Sequence, residues 1–290
     1  MNRPPSTLPP VKPSASQQAA FLTLLADEDP AVYQMVRKSI LACGPEVVDW
    51  LEPHTLSNDP VLRRRTREIV RHFGRQSADI RFLAFCLKHG EEFDLESGAW
   101  LLASTEYPDI NVDAYRALLD DYAAVLHERI DFSERASQIL LVINDYLFNE
   151  LGFAGNEKEF YDPDNSYLNR VLDRRTGNPI NLCLVYMLLG RRLRLPLAGI
   201  GLPGHFICRY QSSSDELFLD VFAQGRILTK ADCIQHLAQG HYTLRDDFLS
   251  PVSARRMLMR ICGNLHQIYL QLQRAEDATR IQRYLVALAG

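Results

Sequence analysis

Apolar positions recur with a helical period from about residue 19 to residue 150. Val32, Met35, Val36 and Ile40 with Ser39 form one stripe, and Ile139, Leu140, Ile143, Tyr146 and Leu147 form another. Such spacing gathers side chains on one helix face. It predicts helices over Ser77–Lys88, Leu95–Ser104, Val112–Arg129 and Ser133–Glu150, after an arginine-rich helix over Val61–Arg75. Beyond residue 160 the texture changes. Asn178-Pro179 supplies a cap and a first-turn proline for a helix to about Leu193, and Leu197–Gly201, His205–Tyr210 and Glu216–Val221 read as short strands. Helical patterns return over Lys230–Ala238, Ala254–Leu272 and Glu276–Ala289. The implied fold class is α+β, mostly helical, with a small antiparallel sheet between helical flanks.

A short repeat punctuates the first half. Asp29-Pro30-Ala31-Val32 returns as Asp59-Pro60-Val61-Leu62, aligning Val36 with Thr66, Arg37 with Arg67 and Ile40 with Val70. Each Asp suits a helix cap followed by proline at the first helical position. Stacked helical hairpins of the HEAT kind and a plain helical bundle both fit. Ahead of it, five prolines between Asn2 and Gln18 read as a disordered tail. The expected organisation is a tail over 1–18, a HEAT-like region over 19–92, an α+β core with its leading helices over 93–250 and a helical hairpin over 251–290.

Charge narrows the partners. Lys plus Arg number 32 against 36 Asp plus Glu, for a net charge of −4, so no global basic field draws the chain to nucleic acid or an anionic membrane. The apolar run Ile180–Gly190 stops at Arg191 and Arg192, too short for a bilayer. The six cysteines lie scattered, without metal-site spacing to the eight histidines, and no signal-peptide pattern opens the chain. Reduced thiols in a cytoplasm, no metal and no cofactor are the expectation. One local charge feature stands out: Arg63, Arg67, Arg71 and Arg75 fall every fourth residue on one helix face, where like charges repel by a few tenths of a kcal/mol per pair. It reads either as a partner-docking face or as a solvated face balanced by an acidic segment such as Glu91, Glu92, Asp94 and Glu96.

The segment from His205 to Val221 looks like a hairpin with a polar loop. A centre between Ser212 and Ser213 sets His205 opposite Asp220 and Arg209 opposite Glu216 on one face, with Phe206, Cys208 and Tyr210 on the other. A carboxylate beside an imidazole can fix its tautomer and stabilise its cation, as in nucleophile-base-acid triads. Cys208 lies on the wrong side of the strand; Cys183, early in the preceding helix, is the candidate thiol. A structural His-Asp pair beside a buried cysteine is the bland alternative.

The run Tyr161-Asp-Pro-Asp-Asn-Ser-Tyr-Leu-Asn-Arg-Val-Leu-Asp-Arg-Arg-Thr-Gly-Asn-Pro-Ile180, then Gly201-Leu-Pro-Gly-His-Phe206, then Asp220-Val-Phe222 with Gly225-Arg226, resembles the SirB-one-type bacterial proteins of the transglutaminase-like superfamily. The resemblance covers about Ala99 to the end; Met257–Leu265 and the helices around it are similar to that family's tetratricopeptide-like tail. It implies a papain-like core with a Cys at a helix N-terminus and a His and an Asp on successive strands, the last two matched by His205 and Asp220. Laid over Gly177-Asn178-Pro179, the family's Gly-x-Cys puts Pro179 at the nucleophile position, and proline cannot attack. Cys183 follows one turn later, while Asn178 and Asn181 are left in supporting roles and the 162–169 block braces the helix entry through Asx-type turns.

Two functions follow. The first is a regulatory or scaffolding protein whose degenerate core binds a protein or peptide, with Arg63, Arg67, Arg71 and Arg75 on the docking surface. The second is a cysteine-dependent enzyme of peptide or amide bonds using Cys183, His205 and Asp220.

Overall fold

The structure, a computed structural model, describes residues 12–88, 94–239 and 246–290. The prolines ahead of Lys12, and Glu91 and Glu92, lie outside the described residues. Two compact units divide the chain, one up to Asp79 plus Thr105–Asp109, the other comprising Ile80–Ser104 and Ile110–Gly290. The C-terminal hairpin belongs to the same compact unit as the sheet.

In the first unit, helix α1 (Ala15–Leu25) begins inside the segment expected to be a tail. Ser14 accepts the Gln17 N–H and the Gln17 side chain returns to the Ser14 backbone, a reciprocal cap. Both Asp-Pro signals start helices: Asp29 caps α2 (Pro30–Ala42) through the Ala31 N–H at 2.8 Å, and Asp59 caps α4 (Pro60–Lys88) through the Val61 N–H at 2.8 Å, with α3 (Val48–Leu51) between. The two copies differ in length, 13 residues against 29. Instead of breaking near residue 76, α4 runs through Gly74, where an added Cβ would meet the Pro108 side chain at 2.9 Å. That close approach gives the glycine a packing reason that outweighs its helix cost of about 1 kcal/mol. Leu25, Val36, Ile40, Leu51, Ile69 and Phe73 form this unit's core.

In the second unit, α5 (Leu95–Glu106), whose last two residues belong to the first unit, precedes α6 (Val112–Arg129) and α7 (Ala136–Asn144). The predicted helix to Glu150 ends in a wider π turn over Asp145–Glu150. Strand β1 (Ala154–Gly155) pairs in parallel with β2 (Thr176–Gly177), with α8 (Leu168–Arg174) between them. Helix α9 (Pro179–Arg192) is apolar almost all round and accordingly buried, touching α6, α8, α11 and the sheet. The sheet runs β3 (Leu197–Ile200), β4 (Ile207–Gln211), β5 (Glu216–Asp220) and β6 (Arg226–Leu228) in that order, all antiparallel. Helix α10 (Lys230–Gln239) covers one face, where Ile207 and Phe218 meet Cys233 and Leu237. The chain ends in the paired helices α11 (Ala254–Gln271) and α12 (Ala275–Ala289). The result is a mostly helical α+β fold.

The hairpin register differs from the sequence reading by two residues: Arg209 faces Phe218 and Gln211 faces Glu216. The reason lies in the loop. Ser212 N–H closes on the Asp215 carbonyl at 2.9 Å and the Ser212 hydroxyl accepts the Asp215 N–H at 3.0 Å, which moves the centre to Ser213-Ser214. An even shift keeps every side chain on its face. His205–Asp220 and Arg209–Glu216 therefore still meet, but diagonally across the ladder.

Candidate functional site

Three short segments converge on His205. The first is the entry to α9. The Asn178 carboxamide oxygen accepts the backbone N–H and the side-chain N–H of Asn181, each at 3.0 Å, while its own NH2 donates to the Ser166 hydroxyl. Asn165 in turn accepts from Asn156 and donates to the carbonyls of Glu159 and Phe160. Asp162 accepts the Asp164 N–H at 3.0 Å and pairs with Arg174 at 2.6 Å, so the 162–169 block braces the helix entry as expected from its Asx chemistry. Pro179 then occupies the first helical position, where a missing N–H costs nothing.

The second segment is the turn before β4. Gly204 has φ of +72°, a left-handed conformation that suits glycine, and His205 N–H donates to the Leu202 carbonyl. Arg260 of α11 clamps this turn, donating through Nη2 to the carbonyls of Leu202 and His205 at 2.7 Å each.

The third is the end of β5. Asp220 accepts the Ala223 N–H at 3.1 Å, and Gly225 N–H returns to the Asp220 carbonyl at 2.9 Å. Gly225 itself, at φ +72°, is gripped by Asn144, whose NH2 donates to the Gly225 carbonyl at 2.7 Å and whose oxygen accepts from Tyr186 at 3.0 Å.

His205 Nε2 sits 3.0 Å from Asp220 Oδ1, within ion-pair reach, yet makes no hydrogen bond of good geometry. Burial pushes the Asp220 carboxyl up; the imidazole and the N–H groups of Ala223 and Phe222 outweigh it and hold the group below its ordinary value. The imidazole borders two cavities. One, of about 320 Å³, is also lined by Asn178, Pro179, Ile180 and Arg260; the other, of about 450 Å³, by Asp220, Arg226, Asp232 and His236.

Cys183 lines neither of these cavities. It is fully buried; its thiol donates to the Phe206 carbonyl at 3.6 Å, while Cys208 donates to the Cys183 carbonyl at 3.7 Å. Burial, followed by the neighbouring Cys208 and Asp220, pushes the Cys183 thiol well above its usual value. From the α9 entry, Asn178, Pro179 and Ile180 line the cavity that His205 borders.

The arginine stripe of α4 belongs to the first unit. Arg63 donates to the Ser57 carbonyl, Arg67 to the Thr55 carbonyl, Arg71 pairs with Asp109 and Arg75 with Glu106. Its acidic balance thus comes from residues 106–109. Asp94 and Glu96 are instead taken by Arg191 and Arg192, with the buried Glu96 meeting Arg192 at 2.9 Å. Sequence reasoning passed over Arg260, Asn264 and Gln267, which line the smaller cavity. Their only signal is polar spacing of i, i+4, i+7, shared with any solvated helix face.

A central buried helix opening on a His-Asp pair from an antiparallel sheet defines a class: the chain belongs to the transglutaminase-like superfamily, which residues 113–263 match. Within it, the chain belongs to the UPF0162 family. It is 38% identical over 197 residues to the UPF0162 protein of Xylella fastidiosa strain Temecula1, spanning 66% of this chain and 70% of that one. It is also 35% identical over 171 residues to a UPF0162 protein of Pseudomonas aeruginosa, spanning 57% of this chain and 60% of that one. A segment of 140 residues is 34% identical to F-box only protein 21 of Mus musculus, spanning 46% of this chain and 22% of that protein. No solved structure matches the chain. Among the described residues, no helix is long and apolar enough to cross a membrane.

Proposed function

We propose that the protein is a regulatory or scaffolding protein of the SirB-one type, whose degenerate transglutaminase-like core binds a protein or peptide partner without cutting or joining it. The observation that carries this reading is Pro179, which lines the His205 cavity at the α9 entry while Cys183 and Cys208 are sealed in the core. A cavity without an accessible thiol can hold a segment but cannot form the thioester of a cysteine mechanism. The likeness to a fifth of F-box only protein 21 supports a module that works within larger chains. In this reading α11 and α12 act as a tetratricopeptide-like flank, the stripe from Arg63 to Arg75 steers acidic partners, and the protein works in the cytoplasm with its six thiols reduced.

The experiment is iodoacetamide labelling of the native protein near pH 7, followed by peptide mass spectrometry, beside amidase and acyl-transfer assays. The expected result is labelling at Cys43, the partly exposed thiol, none at Cys183, and no turnover, with a reactive thiol gained in Pro179→Cys. Rapid labelling of Cys183, with turnover lost in Cys183→Ala, would overturn the reading. That outcome belongs to the second reading, a cysteine-dependent enzyme of peptide or amide bonds with Cys183, His205 and Asp220. It is favoured by one feature, the His205–Asp220 pair held at 3.0 Å.

A further inference from the structure

The smaller cavity beside His205 has a polar wall built by one helix. Arg260, Asn264 and Gln267 of α11 lie at i, i+4 and i+7, hence on one face. They are graded in exposure, Arg260 and Asn264 half-buried and Gln267 exposed, so the cation sits at the inner end of the row. Arg260 uses Nη2 on two backbone carbonyls, stacks over the Phe206 ring at 5.4 Å, and places Nη1 over Gly201, where an added Cβ would sit 3.0 Å away. Among the described residues no carboxylate pairs with it, and among them neither the Asn264 nor the Gln267 carboxamide has a hydrogen-bond partner. Burial lowers the Arg260 pKa from its ordinary value. A buried cation without an opposite charge is costly, and a bound anion relieves it.

We infer that this cavity recognises the free C-terminal carboxylate of a peptide, with Arg260 meeting the carboxylate and Asn264 and Gln267 reading the backbone amides that precede it. The inference rests on the binding role proposed above. Arg260 to Gln267 spans about 10 Å along the helix, the length of about three extended residues. One charge followed by neutral groups that both donate and accept is the chemistry of a chain end: a single carboxylate, then amides. A cavity of about 320 Å³ is at the lower end of ordinary ligand sites. Phe160 and Tyr161, both exposed and both lining it, supply apolar surface for the terminal side chains.

The test uses the full chain and random hexapeptides anchored through their N-termini, in three sets: free C-terminal carboxylate, C-terminal amide, and C-terminal amide with an internal Glu. Retention on the free-carboxylate set is expected to exceed both amide sets at least tenfold. Asn264→Glu, which leaves the bonds of Arg260 to the Leu202 and His205 carbonyls in place, is expected to lose at least tenfold of that retention with an unchanged circular dichroism spectrum. Arg260→Gln is expected to abolish the preference for the free carboxylate. Equal retention of amidated peptides, retention led by internal Glu, an unaffected Asn264→Glu, or no retention on any set overturns the inference. Cleavage of the retained peptides, with the carboxylate preference intact, would instead overturn the binding-only function and leave the inference standing.

Discussion

The arginines of α4 and the arginine of α11 solve opposite electrostatic problems. Arg63, Arg67, Arg71 and Arg75 look exceptional in the sequence, yet each ends on a nearby acceptor: a loop carbonyl, Asp109 or Glu106. Arg260 is inconspicuous in the sequence, yet it is half-buried, clamps the His205 turn and has no carboxylate partner among the described residues. Four like charges in a row are weakened by water and by neighbours at the surface. A single cation removed from water keeps its demand for an anion. Density of charge along a chain is therefore a poorer guide to a binding site than isolation of charge in the fold.

Arg191 and Arg192 provide the reference case, cations that do own a buried carboxylate. Replacing Glu96 by Ala removes the buried partner of the half-buried Arg192 and leaves it the exposed Asp120 at 2.6 Å; the expected loss is about 3 kcal/mol, the lower end of the range for breaking a buried pair. Hydrogen exchange of α9 and α2, read separately by mass spectrometry, should place that loss in the second unit. A loss below about 1 kcal/mol would erase the distinction between buried and surface arginines.

Next in size is Gly225→Ala. The new side chain would be forced into a left-handed backbone and onto the Asn144 carboxamide, costing about 2–4 kcal/mol. It should also displace Asp220, seen as a shifted His205 imidazole resonance, while leaving the α4 stripe untouched.

Acid sensitivity sharpens the same contrast. The folded-state pKa of Asp220 lies below its ordinary value, so its stabilising contribution is complete above the unfolded-state value of about 3.9 and is lost as pH falls through the depressed folded value. Asp220→Asn should show a shallower fall in stability on acid titration than the parent chain; parallel acid limbs would show that Asp220 gains nothing from His205.

The smallest effect is expected at the stripe. Arg71 and Asp109 are 59% and 64% exposed, so Arg71→Ala should cost less than about 1 kcal/mol, and the difference should vanish in molar salt.

Much of the architecture was legible in the sequence because its signals are local. The caps Asp29, Asp59 and Asn178, each followed by proline, start helices where expected. The His205–Asp220 pair was legible because charge complementarity survives a two-residue slip, but for that reason it could not fix the register; the closure of Ser212 on Asp215 does. Strands β1, β2 and β6 are two or three residues long and carry no alternation to detect. The placement of Cys183 was half legible. Its apolar helix implied burial, whereas its bond to the Phe206 carbonyl depends on how the sheet packs. The polar wall of α11 was hidden because a solvated face and a cavity wall share one periodicity.

The wall of α11 also bears on how this domain can be divided. The superfamily match ends at Gly263, between Arg260 and Asn264. A fragment trimmed to that boundary would keep the arginine but lose both carboxamides and all of α12, including Leu288 and Ala287, whose carbonyls hold Arg255. It would also lose Leu265, Tyr269, Ile281 and Tyr284 from the core, and with Tyr269 the hydroxyl that meets Tyr167 at 2.7 Å. The family boundary thus cuts through the cavity wall itself, with the arginine that clamps the His205 turn on one side and the two carboxamides on the other.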